Sequence, residues 1–180
     1  MEAKENEVLN TEEERFLKAK SDALRLLSFS ARSAKELHGR LKQKKYSDEM
    51  VDRVIEGFRK QGLVDDEKFA KLFAESRIYS RPTGKKQLAM DLKKKGLSPE
   101  LVTQTVANLK DYDEKKMVRE LALKRLKSMA GISREKKKTR LFGFLKRRGF
   151  GNESIFFVLN EVLKGNSTEG LEFRENSNED

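Results

Sequence analysis

One apolar pattern of seven positions occurs three times along the chain, and this repetition limits the fold more than any other feature. Leu37, Leu41, Tyr46, Val51, Val54, Ile55 and Phe58 recur 51 residues on as Leu88, Leu92, Leu97, Val102, Thr105, Val106 and Leu109. A further 53 residues give Leu141, Leu145, Phe150, Ile155, Val158, Leu159 and Val162, so Thr105 is the single polar residue in the set. Two leucines four apart, then a short break, then apolar positions three and four apart describe two consecutive amphipathic helices. The punctuation repeats with them. Lys45, Gly96 and Gly149 follow the second helix of each unit, where a left-handed residue ends a helix, and Glu49, Glu100 and Glu153 fall in the first turn of the third, where a carboxylate meets the positive end of the dipole.

Start signals supply one more helix per unit. Thr11 with Glu14 has capping-box spacing and is followed by Phe16, Leu17, Leu24 and Leu27. Asp65 between Val64 and Phe69, and Asp113 between Tyr112 and Met117, have the form of a cap inside a hydrophobic staple. Ser33 with Glu36 opens a second helix, Ser47 a third, and Pro99 after Ser98 suits a first helical position. The expected architecture is all-α, with three tandem three-helix, helix-turn-helix-like repeats in an elongated modular protein. Its expected segments are an acidic N-terminal extension (1–11), three modules (12–61, 62–110 and 111–164) and an acidic, disordered tail (165–180). Each module is small enough that its core is marginal alone and contact with its neighbours matters.

Composition fits this reading. Only 36% of the 180 residues are apolar, yet Leu, Ile, Val and Phe total 46, enough to exclude a wholly disordered chain. The net charge of +10 is an average over unlike segments: residues 1–22 carry −3, residues 165–180 carry −4, and the stretch between them holds 35 basic against 18 acidic side chains. So basic a middle is the footprint of a polyanionic partner, set against the plainer reading of a solvated lysine-rich surface. The longest apolar run, Ile155 to Leu159, is far too short to span a bilayer, and the first residues are acidic where a secretory signal would be basic. No membrane association is expected. The absence of Cys suits a reducing cytoplasm, and cytoplasmic localisation is expected.

Candidate chemistry is mostly excluded. Without Cys and with His38 the single histidine, there is no thiol nucleophile and no multi-histidine metal site. Asp65 and Asp66 read as a cap and its dipole partner, and His38 as a residue on a helix surface. Gly84-Lys85-Lys86 lacks the spacing of a phosphate-binding loop, and Gly149-Phe150-Gly151 follows a helix where a dinucleotide site needs a strand. No catalytic residue, metal or cofactor is expected, and the chain does not read as an enzyme.

The informative chemistry is basic and periodic. Lys42, Lys44 and Lys45; Lys93, Lys94 and Lys95; and Lys146, Arg147 and Arg148 occupy equivalent places at the end of each second helix. Cations there also complement the helix dipole by about 0.3 to 1 kcal/mol, which would explain one cluster. Three in register would form a repeating basic surface able to follow a phosphate backbone or an acidic groove. Arg77, Arg81, Lys85 and Lys86, and Arg134, Lys136, Lys137, Lys138 and Arg140, lie near the starts of the second helices of the later units. Phe58, Phe69, Phe73, Phe144 and Phe156 or Phe157 fall on apolar stripes and most are assigned to the core, leaving Tyr79 as the exposed aromatic candidate for stacking on a base.

Arg32-Ser33-Ala34-Lys35-Glu36-Leu37, then Gly62-Leu63-Val64-Asp65-Asp66 with Phe69-Ala70, then Ser76-Arg77 with Gly84, Leu88, Leu92 and Gly96, and finally Arg147-Arg148-Gly149-Phe150, resemble in order and spacing the RecX family of recombination regulators. The likeness covers about residues 22–163 and departs from the family in unit one, where Lys45-Tyr46 replaces a Gly-aromatic pair, and in the acidic extensions. It implies three tandem three-helix modules without catalytic residues. It also implies a partner, the RecA recombinase filament on DNA, in whose groove such proteins lodge to limit ATPase activity, strand exchange and filament growth. On that reading the protein is a monomeric regulator of DNA repair and recombination and of the damage response. Weak, nonspecific contact with single- or double-stranded DNA is expected as well. The expected contact residues are Arg32, Arg77 and Arg148 at motif positions, with Lys44, Lys45, Arg81, Lys85, Lys86, Lys93, Lys94, Lys95, Lys146 and Arg147. The rival readings are a tandem helix-turn-helix protein acting directly on nucleic acid, which would need a reading helix that the sequence does not favour, and an inert helical scaffold.

Overall fold

The structure, a computed structural model, describes the backbone of residues 2–110 and 112–165 and the side chains of 11–110 and 112–164. Among the described residues there are nine helices and no strand: α1 (Glu2–Phe29), α2 (Ala34–Gln43), α3 (Asp48–Lys60), α4 (Asp66–Ser80), α5 (Lys85–Lys94), α6 (Pro99–Ala107), α7 (Glu114–Leu126), α8 (Arg134–Arg147) and α9 (Asn152–Gly165). The all-α fold of consecutive helix triplets is as the repeat implies. Two compact units form. One takes in the residues up to Ala74 with Asp91–Ala107, the other Glu75–Met90 with the residues from Asn108 on, so the chain of the middle triplet contributes to both.

Local signals act as their chemistry suggests. The Ser33 hydroxyl accepts from Glu36 N (3.1 Å), Ser47 from Met50 N (3.3 Å) and Ser98 from Leu101 N (3.2 Å). Asp65 Oδ1 accepts from the amides of Glu67 and Lys68, and Asp113 Oδ1 from Lys116 N at 2.9 Å. Gly96 and Gly149 adopt φ of +84° and +79°, and Lys45 at the equivalent place adopts +66°. The amide after each glycine reaches back to the carbonyl five residues earlier, Leu97 to Leu92 and Phe150 to Leu145, both at 3.4 Å. This is the Schellman arrangement, which turns the next side chain inward. Leu97 and Phe150, both buried, belong to the repeat for that reason, and Tyr46, also buried, follows Lys45 in the same left-handed conformation.

In the first unit α1, α2 and α3 enclose Leu37, Leu41, Val51, Val54, Ile55 and Phe58, with Ala19 and Ala23 of α1 fully buried. In the second, α7, α8 and α9 enclose Val118, Ala122, Leu141, Leu145, Ile155, Val158 and Leu159.

Four expectations need correction. Helix α1 begins at Glu2, not at Thr11, because Glu2-Ala3-Lys4-Glu5 are good helix formers and nothing ahead of Thr11 breaks the helix. In the middle repeat Thr105, Val106 and Leu109 are only half-buried, since α6 ends at Ala107 and its polar member Thr105 bonds back to Leu101 O at 2.7 Å. Phe156 and Phe157 are about half exposed, at 46% and 52%. Phe144 and Phe73 are half-buried rather than core. Apart from Gly165, which ends α9, the expected disordered tail lies outside the described residues.

Consecutive triplets are joined by one device used twice. Ser33 and Thr83 are the buried polar residues among those described. Ser33, just before α2, donates its hydroxyl to Lys95 O at 2.5 Å, while Thr83, just before α5, donates to Arg148 O at 2.9 Å. Beside the first contact Gly96 lies against Lys35; beside the second Gly84 and Gly149 lie backbone to backbone, Gly84 N donating to Arg148 O at 2.9 Å.

Candidate partner-binding site

The expected contact residues separate into two groups. Some are occupied within the fold. Lys95 Nζ reaches Glu36 Oε1 at 2.6 Å and lies 5.3 Å from the Phe73 ring centroid, and its carbonyl receives Ser33. Arg148 donates from Nη1 to Pro82 O at 3.0 Å and stands over Phe144 at 4.9 Å. Arg32 Nε donates to Leu26 O at 3.3 Å, and Arg77 Nη1 to Arg81 O at 3.3 Å. Lys44 pairs with Asp22 at 3.1 Å, and Lys146 Nζ lies 2.5 Å from Asn152 Oδ1. The three arginines at motif positions are thus half-buried and hold turns between helices.

Others face solvent. Lys93 and Lys94 on α5, Lys86 at its start, Arg81 ahead of it and Lys45 after α2 are exposed. Lys85 is exposed as well, with its ammonium 5.2 Å from the Tyr112 ring. In the second unit Arg77, Arg81 and Arg148 gather at the 81–82 turn, since the Arg77 and Arg148 guanidiniums bond to its consecutive carbonyls. Burial, and then the charges of Arg81 and Arg77, hold the Arg148 guanidinium below the usual arginine value. Tyr79, the expected stacking candidate, is 93% exposed, and His38 sits on the surface of α2 within 3.6 Å of Asp48 and Asp52.

Arg125 was not singled out in the sequence. At the end of α7 it reads as an ordinary dipole complement, yet with Arg140 and Arg147 of α8 it lines a cavity of about 430 Å³. No spacing rule relates Arg125 to Arg140, because the turn between α7 and α8 sets their approach. Among the described residues no group of His, Cys, Asp and Glu is placed to hold a metal, and no helix is long and apolar enough to cross a membrane.

With this geometry in place, three models of consecutive three-helix domains match the chain: the first, second and third three-helix domains of RecX, over residues 19–56, 65–106 and 112–159. The chain belongs to the RecX family. It is 32% identical over 152 residues to the regulatory protein RecX of Amycolatopsis mediterranei, covering 84% of this chain and 87% of that one. To the regulatory protein RecX of Chlorobium phaeobacteroides it is 33% identical over 142 residues, covering 79% and 91%. The crystal structure of RecX from Lactobacillus salivarius superposes with a TM-score of 0.71 at 20% identity, over 82% of this chain and 96% of that one, which shows the shared fold. The role that comes with the family name is regulatory.

Proposed function

We propose that this RecX-family protein binds the RecA recombinase filament on DNA and negatively modulates its ATPase, strand exchange and filament growth, acting in the cytoplasm as a monomer. The observation that carries the reading is the division of its cationic residues. After internal partners have claimed Lys44, Lys95, Lys146 and Arg148, the surface keeps Lys93 and Lys94 in one unit and Arg81 and Lys86 in the other, all exposed. Exposed cations without a counter-charge suit an acidic protein groove or a phosphate backbone. Three similar modules on one chain let several weak contacts act together, because each one after the first is intramolecular.

The test is the single-strand-DNA-dependent ATPase of RecA, titrated with the full chain. Substoichiometric protein should suppress hydrolysis, and unchanged hydrolysis across the titration would refute the proposal. Reversal of Lys93 and Lys94 to Glu should weaken suppression more than reversal of Glu12, Glu13 and Glu14 to Lys; equal losses would remove the basic surface from the argument. Nonspecific DNA affinity without effect on RecA, falling steeply with salt, would favour direct action on nucleic acid instead.

A further inference from the structure

The cavity between α7 and α8 is lined by cations that the fold leaves unpaired. Three arginines line it, Arg125, Arg140 and Arg147, and no acidic residue does. None of the three guanidiniums forms an ion pair or hydrogen bond among the described residues. Arg125 is held instead by the Phe144 ring, 5.7 Å from its centroid, and Arg148 lies over the same ring. All three are exposed, so water screens their mutual repulsion and they stay cationic with no counter-charge to displace. Here the aromatic ring fixes a guanidinium without neutralising it.

We propose that this cavity is a phosphate site, taking one phosphate group of a single-stranded nucleic acid or of a free nucleotide. A terminal phosphate carries three non-bridging oxygens and up to two charges, enough for three guanidiniums, and the two non-bridging oxygens of a phosphodiester each accept from more than one of them. The rest of the lining fits what a nucleotide carries beyond its phosphate. Met129, Ile132 and Phe144 give an apolar wall, and the volume of about 430 Å³ lies in the range of small-ligand pockets. Ser128 and Thr139 donate their protons to the carbonyls of Arg125 and Glu135, at 2.9 and 3.1 Å. Their oxygens are therefore left as acceptors, which suits sugar hydroxyls and base amino groups and leaves the phosphate to the arginines.

The inference rests on no recombinase contact, and its test contains no recombinase. Fluorescence anisotropy of a labelled single-stranded oligonucleotide is followed with the full chain and the variants Arg125→Gln, Arg140→Gln and Lys116→Gln, all at one salt concentration. Lys116 is exposed at the opposite end of α7, so its variant removes the same charge away from the cavity. Arg125→Gln and Arg140→Gln should each weaken binding about tenfold, as the loss of a charge-assisted contact does, and Lys116→Gln about twofold at most. Arg125→Lys, which keeps the charge and loses the planar fork, should fall between. Competition by ATP as well as by unlabelled oligonucleotide would assign the site to free nucleotides, and competition by oligonucleotide alone to the nucleic-acid backbone. Equal losses in the cavity variants and Lys116→Gln, or displacement by polyglutamate as effective as by oligonucleotide, would overturn the proposal.

Discussion

Replacing Gly84 by Ala adds one methyl group at the most confined point of the second unit. A Cβ built there falls 2.0 Å from Gly149 O, 2.2 Å from Gly149 C and 2.4 Å from Phe150 N. All three are backbone atoms, so no rotamer change can relieve the contact. An ordinary carbon–oxygen separation exceeds 3 Å, and the strand of chain before α5 must withdraw by more than 1 Å. That movement breaks two hydrogen bonds to Arg148 O, from Gly84 N and from the buried Thr83 hydroxyl, both 2.9 Å. It also strains the Arg148 bond to Pro82 O and the 3.3 Å bond from Tyr112 to Thr83 O. At about 0.5 to 1.5 kcal/mol for each of two to three bonds, and with a smaller opposing gain from the stiffer unfolded chain, the net loss is about 0.5 to 4 kcal/mol. For a chain of this length that lowers the midpoint of thermal unfolding by roughly 2 to 15 °C. Circular dichroism supplies the midpoint, and amide hydrogen exchange shows whether the loss is local, with protection falling at Phe150 and Leu88 and holding at Leu37. The control is Gly39→Ala, inside α2 with nothing within 4 Å of the added carbon, which should gain about 0.5 to 1 kcal/mol. Equal stabilities for the two variants, or a Gly84→Ala protein more stable than the parent, would refute the argument from close approach.

Two further outcomes follow from the same geometry. Lys95→Ala should lower stability by about 1 to 2 kcal/mol, because it leaves Glu36 without its partner at 2.6 Å and removes the cation from Phe73, whereas Lys93→Ala and Lys94→Ala should stay within about 0.5 kcal/mol in the same denaturant titration. Asp22 accepts from Tyr46 at 2.9 Å and pairs with Lys44 at 3.1 Å. Burial alone would raise its pKa, but the hydrogen bonds from Lys44 and Tyr46 and the charges of Lys44 and Arg25 outweigh it, and the value lies below the ordinary 3.8. A carboxylate depressed by folding adds stability that is complete above its unfolded value and is lost as pH falls through the folded one. The stability gap between the parent and Asp22→Asn should therefore be constant from pH 7 down to about pH 5 and shrink below pH 4; a gap that widens on acidification would contradict the assignment.

How much of this was legible in the sequence depends on whether burial or partnership decides a residue's place. Leu37, Leu41, Val51 and Phe58, and their counterparts Leu141, Leu145, Ile155 and Val162, are buried because helical spacing puts them on one face. The same geometry explains the error at Phe156 and Phe157. Ile155 to Leu159 is five apolar residues in a row, and a helix that buries one face can take Ile155, Val158, Leu159 and Val162 at spacings of three and four, which leaves the two phenylalanines outside. The early start of α1 escaped notice because a cap signal marks where a helix can begin and does not forbid an earlier turn. Arg125 at the cavity, and Lys95 and Arg148 at the joints, are placed by contacts between segments distant in sequence. A basic residue in a last helical turn carries no mark that distinguishes a dipole partner from a joint or a ligand site.

The one break in the repeat's punctuation has a physical reason in the joints. At Gly96 and Gly149 a side chain would meet the neighbouring triplet, with a Cβ 2.1 Å from Lys35 in one case and 2.5 Å from Gln87 in the other. Both places also need a left-handed backbone, so glycine is required twice over. At Lys45 only the second requirement remains, because the residue is exposed and its side chain projects into solvent. A non-glycine residue in that conformation costs on the order of 1 kcal/mol, within what the first core can absorb. The requirement for glycine is therefore set by the packing of one triplet on the next, more than by the helix end it terminates. The basic residue just before each left-handed position follows the same division: Lys95 and Arg148 lend their carbonyls to Ser33 and Thr83, whereas Lys44 turns to Asp22 inside its own triplet. Of the second and third last-turn clusters, then, the member next to the glycine belongs to the architecture. The cations before it on α5, Lys93 and Lys94, stay exposed.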